Sequence, residues 1–209
     1  MINRRTAVLS MTTIAAGLGG CGEKVPDTLK IGMLVALSGS AGARGKDLLR
    51  GAEMAAEEIN AAGYKIAGRA VRVEILSFDD KGENDVAAQG AQQLIADGVH
   101  AVIGPLGTPQ GQKAIPVVAD SGRPHLFTMT AANLHTLGKG NTFRLLANDD
   151  LQGKAAAVLV HENLRAQRVA VVYEATDYGK GLHSVFAENF AKAGGKLGSV
   201  FPVEAKADV

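Results

Sequence analysis

The chain has no tryptophan, three tyrosines, six phenylalanines and one cysteine in 209 residues. A single cysteine excludes an internal disulfide, even in an oxidising compartment. Few aromatics leave the core to aliphatic residues and alanine, and an apolar share of 46% is enough to fill one. An excess of either charge is also lacking: 22 Lys and Arg stand against 21 Asp and Glu. That balance gives no footprint for nucleic acid and argues against disorder. Catalytic signatures are missing as well. There is no Gly-x-Ser-x-Gly elbow. His100, His125, His135, His161 and His183 stand apart, with no i,i+4 pair that would bind a metal. Asp79 and Asp80 are adjacent and are expected to point to different faces of a strand end, solvated. The chain therefore reads as a non-enzyme without metal or cofactor.

What is present begins at the N-terminus. Met1–Arg5 is a short basic segment, and Thr6–Leu18 runs without a charge, mostly apolar. That is the length of a signal-peptide core and too short to span a bilayer. Gly17, Gly19 and Gly20 then precede Cys21. The string Leu18–Cys21 resembles the lipobox of bacterial lipoproteins. That likeness implies that residues 1–20 are an export signal and that Cys21 is acylated as the first mature residue. Lipid chains would hold the protein at a membrane without a spanning helix. Removing Arg4 and Arg5 from the 22 basic residues leaves 20 against 21 acidic ones.

Residues 22–28 are polar with one proline and read as a tether. Leu29–Leu37 is a continuous apolar run, suited to a strand buried on both faces. Three glycines make Ser38–Gly45 a loop, and a helix is expected over Lys46–Ala62, stopped by Gly63. Further strands are expected at Val71–Phe78, Val99–Ile103 and His125–Met129, with an extended piece at Thr142–Leu145. Helices are expected from Asn84, as cap, to Asp97 and over Gln110–Ser121, where Pro116 would kink or divide the element. Strands alternating with helices indicate an α/β unit with a parallel sheet. His125 lies in an apolar strand and reads as a packed core histidine. The pattern restarts after a break near Ala147–Asp150: helix Leu151–Leu164, strand Arg168–Tyr173, helix Gly179–Ala193, strand Lys196–Val203. This gives a first lobe over 29–146 and part of a second over 147–209. Two strands are fewer than a covered parallel sheet needs. The second unit is thus expected to be completed by another chain or to come from an incomplete gene product. It should expose Val169, Val171, Val172 and Phe201.

In parallel α/β sheets ligands sit at the C-terminal strand ends. Ser38–Lys46 fails as a phosphate loop, because five residues separate Gly39 from Gly45 and Asp47 follows Lys46. It reads either as a loop feeding a helix N-terminus that favours an anion, or as a plain turn with Arg44 exposed. In Gly104–Gln110, Thr108 suits an N-cap with Pro109 at the first helical position, or a hydroxyl on a ligand carboxylate. Thr128–Asn133 offers hydroxyls and backbone N–H groups, or is a solvated turn.

Six strings in order resemble the branched-chain amino-acid-binding proteins of ABC transporters, the leucine/isoleucine/valine-binding type. They are Leu29–Gly39, Gly51–Gly63, Asp79-Asp80, Val102–Leu106, Arg168–Tyr173 and Asp177–Gly181. The resemblance covers about residues 29–203. It implies the type I periplasmic binding fold, with a flavodoxin-like first lobe and an incomplete second α/β lobe. It also implies an extracytoplasmic receptor, periplasmic or at the cell surface, that closes over a small solute and delivers it to a permease. The solute would be a branched-chain-type amino acid, or a related small carboxylate or amide. A sensor of the same fold and a surface enzyme using Asp79 or Asp80 are the alternatives. The resemblance puts Thr108 on the ligand carboxylate with N–H groups around Gly107. It puts the Thr130 carbonyl on a ligand ammonium and Tyr178 across the cleft. Arg44 falls where many members have an aromatic. Ala132 falls where amino-acid binders usually have Thr, which removes one hydroxyl of the clamp and points away from simple Leu/Ile/Val specificity. Family members continue well past residue 209, so binding by this length of chain is expected to be weak or absent.

Overall fold

The computed structural model describes residues 25–204. The expected export signal and Cys21 lie outside those residues. Five parallel strands form the main sheet: β1 (Thr28–Val35), β4 (Arg72–Asp79), β5 (Ala101–Ile103), β6 (His125–Phe127) and β7 (Thr142–Arg144). Their spatial order is β4-β1-β5-β6-β7. A small antiparallel hairpin, β2 (Lys65–Ile66) with β3 (Arg69–Ala70), precedes β4. It is absent from the sequence-based expectation, because two-residue strands carry no usable alternation.

β1 lies between β4 and β5, which accounts for its apolar run: Met33, Leu34 and Val35 are almost fully buried. Helices α2 (Asn84–Ala96) and α3 (Thr108–Asp120) cover the sheet. Their Ala87, Ala91, Leu94, Ala114 and Val118 pack with Leu34, Val99 and Val102 in one core. Alanines at the contact let helix and sheet approach closely, as the aliphatic composition requires. A second cluster, Ile115, Phe127, Met129, Ala131 and Leu134, fills the β6 side. α3 continues through Pro116 as one helix, so the proline does not divide it.

Helix α1 spans Gly42–Ala61, four residues earlier than expected. Gly42 and Gly45 do not loosen a loop here. A Cβ on Gly45 would overlap the Ala36 carbonyl oxygen, so this glycine lets the first helical turn sit directly on the end of β1.

The chain then leaves the main sheet. Helix α4 (Asp149–Val158), followed by a π-turn over Leu159–Asn163, packs on α5 (Asp177–Lys192). Asn148 caps α4 by accepting from the Leu151 N–H. β8 (Arg168–Glu174) and β9 (Lys196–Val203) form a separate parallel pair. Phe190 of α5 is fully buried, stacked on Phe186. On the open face Val172 and Phe201 are exposed, as expected. Val169 and Val171 are half-buried instead, because strand alternation turns them to the opposite face from Val172.

Candidate functional site

The strand order reverses between β1 and β5, so the connections leaving their C-terminal ends run apart and leave a crevice. A cavity of about 420 Å³ lies there. Ser40 and Arg44 line it from the β1 side, and Asp80 and Gly82 from the end of β4. Leu106–Gln110 follows β5, and Thr128–Thr130 follows β6. Glu174, Thr176 and Tyr178 reach the same cavity from the end of β8. The two parallel sheets thus present their C-terminal ends to one space.

Five of the six sequence-predicted cavity residues come together: Arg44, Gly107, Thr108, Thr130 and Tyr178. Ala132 is not in this cavity, although the adjoining pocket that it lines shares Thr108. It starts a 3₁₀ turn (Ala132–Leu137) and lines a neighbouring pocket with Asp149, Asp177 and Lys180.

Thr108 is the first residue of α3, and Gly107 is its N-cap. The expected N-cap role of Thr108 is therefore wrong: its hydroxyl makes no capping bond. Thr108 is 95% buried and remains at the cavity wall. The first turn of α3 keeps unpaired N–H donors, because its cap residue has no side chain. α5 differs, since the Thr176 hydroxyl accepts from the Gly179 N–H and Asp177 adds a negative charge to its first turn. An anion in the cavity is therefore favoured at α3 over α5. Arg44 stands in the first turn of α1 rather than in a loop.

Of the two aspartates at the end of β4, Asp80 is buried, contrary to expectation, while Asp79 is half-buried and its carboxylate is taken up by hydrogen bonds. The Asp79 carboxylate accepts from the Leu37 N–H at 2.7 Å, the Lys81 N–H at 2.9 Å and the Ser38 hydroxyl at 2.7 Å. Burial acts to raise its pKa, but these bonds together outweigh it and hold the group below its ordinary value. Asp79 thereby fixes the start of the β1–α1 loop. Asp80 is 1% exposed. Its Oδ1 accepts from the Gly82 N–H at 2.8 Å, while Oδ2 has no hydrogen-bond partner among the described residues. Burial pushes its pKa up, and the neighbouring Asp79 charge adds to that. Sequence reasoning read Asp80 as solvated, because the adjacent pair at a strand end carries no local sign of its burial.

Gln110 ties α3 to the β4–α2 loop, donating to the Gly82 carbonyl and, at 3.0 Å, to Asn84 Oδ1. Asn84 is thus a bridge rather than a helix cap; Glu83 holds the cap position of α2. His125 is fully buried, as expected, and its Nε2 donates to the Gly104 carbonyl at the root of the β5–α3 loop. Burial holds its pKa down despite that bond. The Thr130 carbonyl accepts from the Asp149 N–H at 2.8 Å. Arg144 donates to the Ala131 carbonyl at 2.7 Å and lies over the Phe127 ring. The β6 loop is therefore held from two directions. Hydroxyls, N–H groups, one guanidinium and two carboxyl groups surround an apolar floor of Leu106 and Met129. Such a cavity suits a small polar solute.

A family model described as periplasmic binding protein matches residues 28–209. The chain belongs to the periplasmic binding protein family. It is 33% identical over 189 residues to the Leu/Ile/Val-binding protein homolog 3 of Brucella melitensis, covering 90% of this chain and 50% of that protein. Among solved structures, the Streptococcus pneumoniae branched-chain amino acid transporter substrate binding protein LivJ, in complex with isoleucine, is 32% identical with a TM-score of 0.75. That match covers 85% of this chain and 50% of LivJ. The leucine binding protein LivK from Thermotoga maritima gives the same TM-score at 27% identity, over 86% of this chain and 50% of that one. The fold is the type I periplasmic binding fold. This periplasmic binding protein spans about half the length of the curated relatives it matches.

Proposed function

We propose that the chain carries the solute-binding cleft of an extracytoplasmic receptor for an ABC transporter, taking amino acids or related small carboxylates and amides. Residues 29–146 supply one lobe and residues 147–209 part of the other. The observation that carries this reading is the buried Thr108 hydroxyl, free of capping duty, at an uncapped helix N-terminus in a cavity that Tyr178 faces from the second sheet. A ligand carboxylate fits there, with N–H groups beside Gly107 and the Thr108 hydroxyl as donors. Thr130 and Tyr178 border the rest of the solute, and Arg44 stands where it meets a polar end. No catalytic step is assigned to the cavity. The receptor works with a permease in the inner membrane and is held at the periplasmic or outer surface by lipid on Cys21.

Two experiments test this. Amide shifts of the ¹⁵N-labelled chain, titrated with amino acids and short carboxylates, are expected at Gly107 and Thr108 and lost in Thr108→Ala; shifts confined to other surfaces contradict the reading. Lipidation is checked in a bacterial host by mass spectrometry of the N-terminal peptide. Acyl mass on Cys21, abolished in Cys21→Ser, is expected, and an unmodified Cys21 contradicts the anchor.

A further inference from the structure

We propose that the cleft selects a solute whose far end is a neutral carboxamide, held between Arg44 and Asp80. This rests on the solute-cleft reading above and narrows it.

The strand order separates the polar groups of the cavity into two ends. The segments after β5 and β6 bring Thr108 and Thr130, while those after β4 and β1 bring Asp80, Ser40 and Arg44. Neighbouring strands lie about 4.8 Å apart, so Arg44 and Asp80 stand roughly one and two strand spacings from the α3 end of the cavity. A short amino acid anchored by its carboxylate at α3 therefore directs its side chain toward Arg44 and Asp80.

That second end is chemically specific. Asp80 Oδ2 is buried without a partner, and a buried acceptor left unpaired is unfavourable. It calls for a donor from the solute. Arg44 offers only donors and calls for an acceptor. An aliphatic side chain satisfies neither group. A second carboxylate suits Arg44 but meets Asp80 and Glu174, and an ammonium suits Asp80 and Glu174 but meets Arg44 and leaves its donors without an acceptor. A carboxamide supplies an oxygen to Arg44 and an N–H to Asp80 with no added charge.

The test is an NMR titration of the 209-residue chain with L-glutamine, L-glutamate, L-lysine and L-leucine as probes. Glutamine is expected to bind about tenfold tighter than leucine, shifting Gly82 as well as Thr108 amides. Arg44→Ala, at an exposed position, and Asp80→Asn, which keeps the shape, should each weaken glutamine several-fold more than leucine, so that the glutamine preference is lost. Leucine binding as tightly as glutamine, with Arg44→Ala without effect, overturns the inference and leaves the cleft reading standing. Glutamate exceeding glutamine overturns it too, because Asp80 would then be donating a proton to a carboxylate. No shift from any of the four at about 50 mM, where millimolar binding would register, overturns the cleft reading and this inference together.

Discussion

The two parallel sheets use the same aliphatic vocabulary and bury it to different depths. Val35 at the end of β1 is 1% exposed, whereas Val172 in β8 is 66% exposed. The difference is not local sequence, since both strands are runs of apolar residues. β1 has a strand on each side and helices against the sheet; β8 has one partner strand and one covered face. Burial is thus a property of neighbours, and a strand's composition shows only what it could bury. The contrast extends to the cavity. Its rigid wall, built on Asp79, His125 and Arg144 contacts, comes from the large sheet, and its Glu174–Tyr178 wall from the small one.

The largest effect should come from the core. Leu34→Ala is expected to cost about 2–5 kcal/mol in urea unfolding, because Leu34 is fully buried among close-packed helices. Val172→Ala should change stability by about 0.5 kcal/mol or less. Equal losses would break the comparison. Gly45→Val comes next: its Cβ would meet Ala36 backbone, with a loss of roughly 1–3 kcal/mol. Gly181, which has open space around the position of a Cβ, should accept alanine without such a loss.

Much of this architecture was legible in the sequence, and the exceptions have physical causes. The β1 run and the βα alternation placed the switch point, and so the cavity. Gly42 and Gly45 read as loop residues because composition cannot tell a glycine chosen for close approach from one chosen for turning. Thr108 reads as a cap for a similar reason, since hydroxyl residues suit both N-cap and first-turn positions. Asp79 read as solvated because two of its partners, Leu37 and Ser38, come from the β1–α1 loop, more than 40 residues away; the burial of Asp80 has no local sequence mark. Tyr178 was legible only through its resemblance to relatives, as nothing in its local string marks a cleft.

Smaller effects depend on pH. The folded-state pKa of His125 is depressed, so the unfolded chain binds its proton first. Stability from this site is intact above about pH 6.5 and falls as pH drops through the folded pKa. His125→Gln keeps a donor for Gly104 and should flatten that decline, read from unfolding midpoints at pH 7 and 5. Asp80 shifts the other way. Its raised folded pKa means that the ionised form opposes folding, a penalty absent below the unfolded value and present once pH rises past the folded one. Asp80→Asn is therefore expected to stabilise the protein at neutral pH by about 1 kcal/mol or less, while weakening solute binding. A destabilised Asp80→Asn would make this carboxyl structural, like Asp79.

The most direct test of the central claim is the amide spectrum of the chain with and without L-glutamine, in wild type and Thr108→Ala. A cleft shared by two sheets predicts shifts at Gly107 and Thr108 at the start of α3 and at Tyr178 at the start of α5, all lost together in the variant. Shifts that survive Thr108→Ala, or that spare Tyr178, would contradict it.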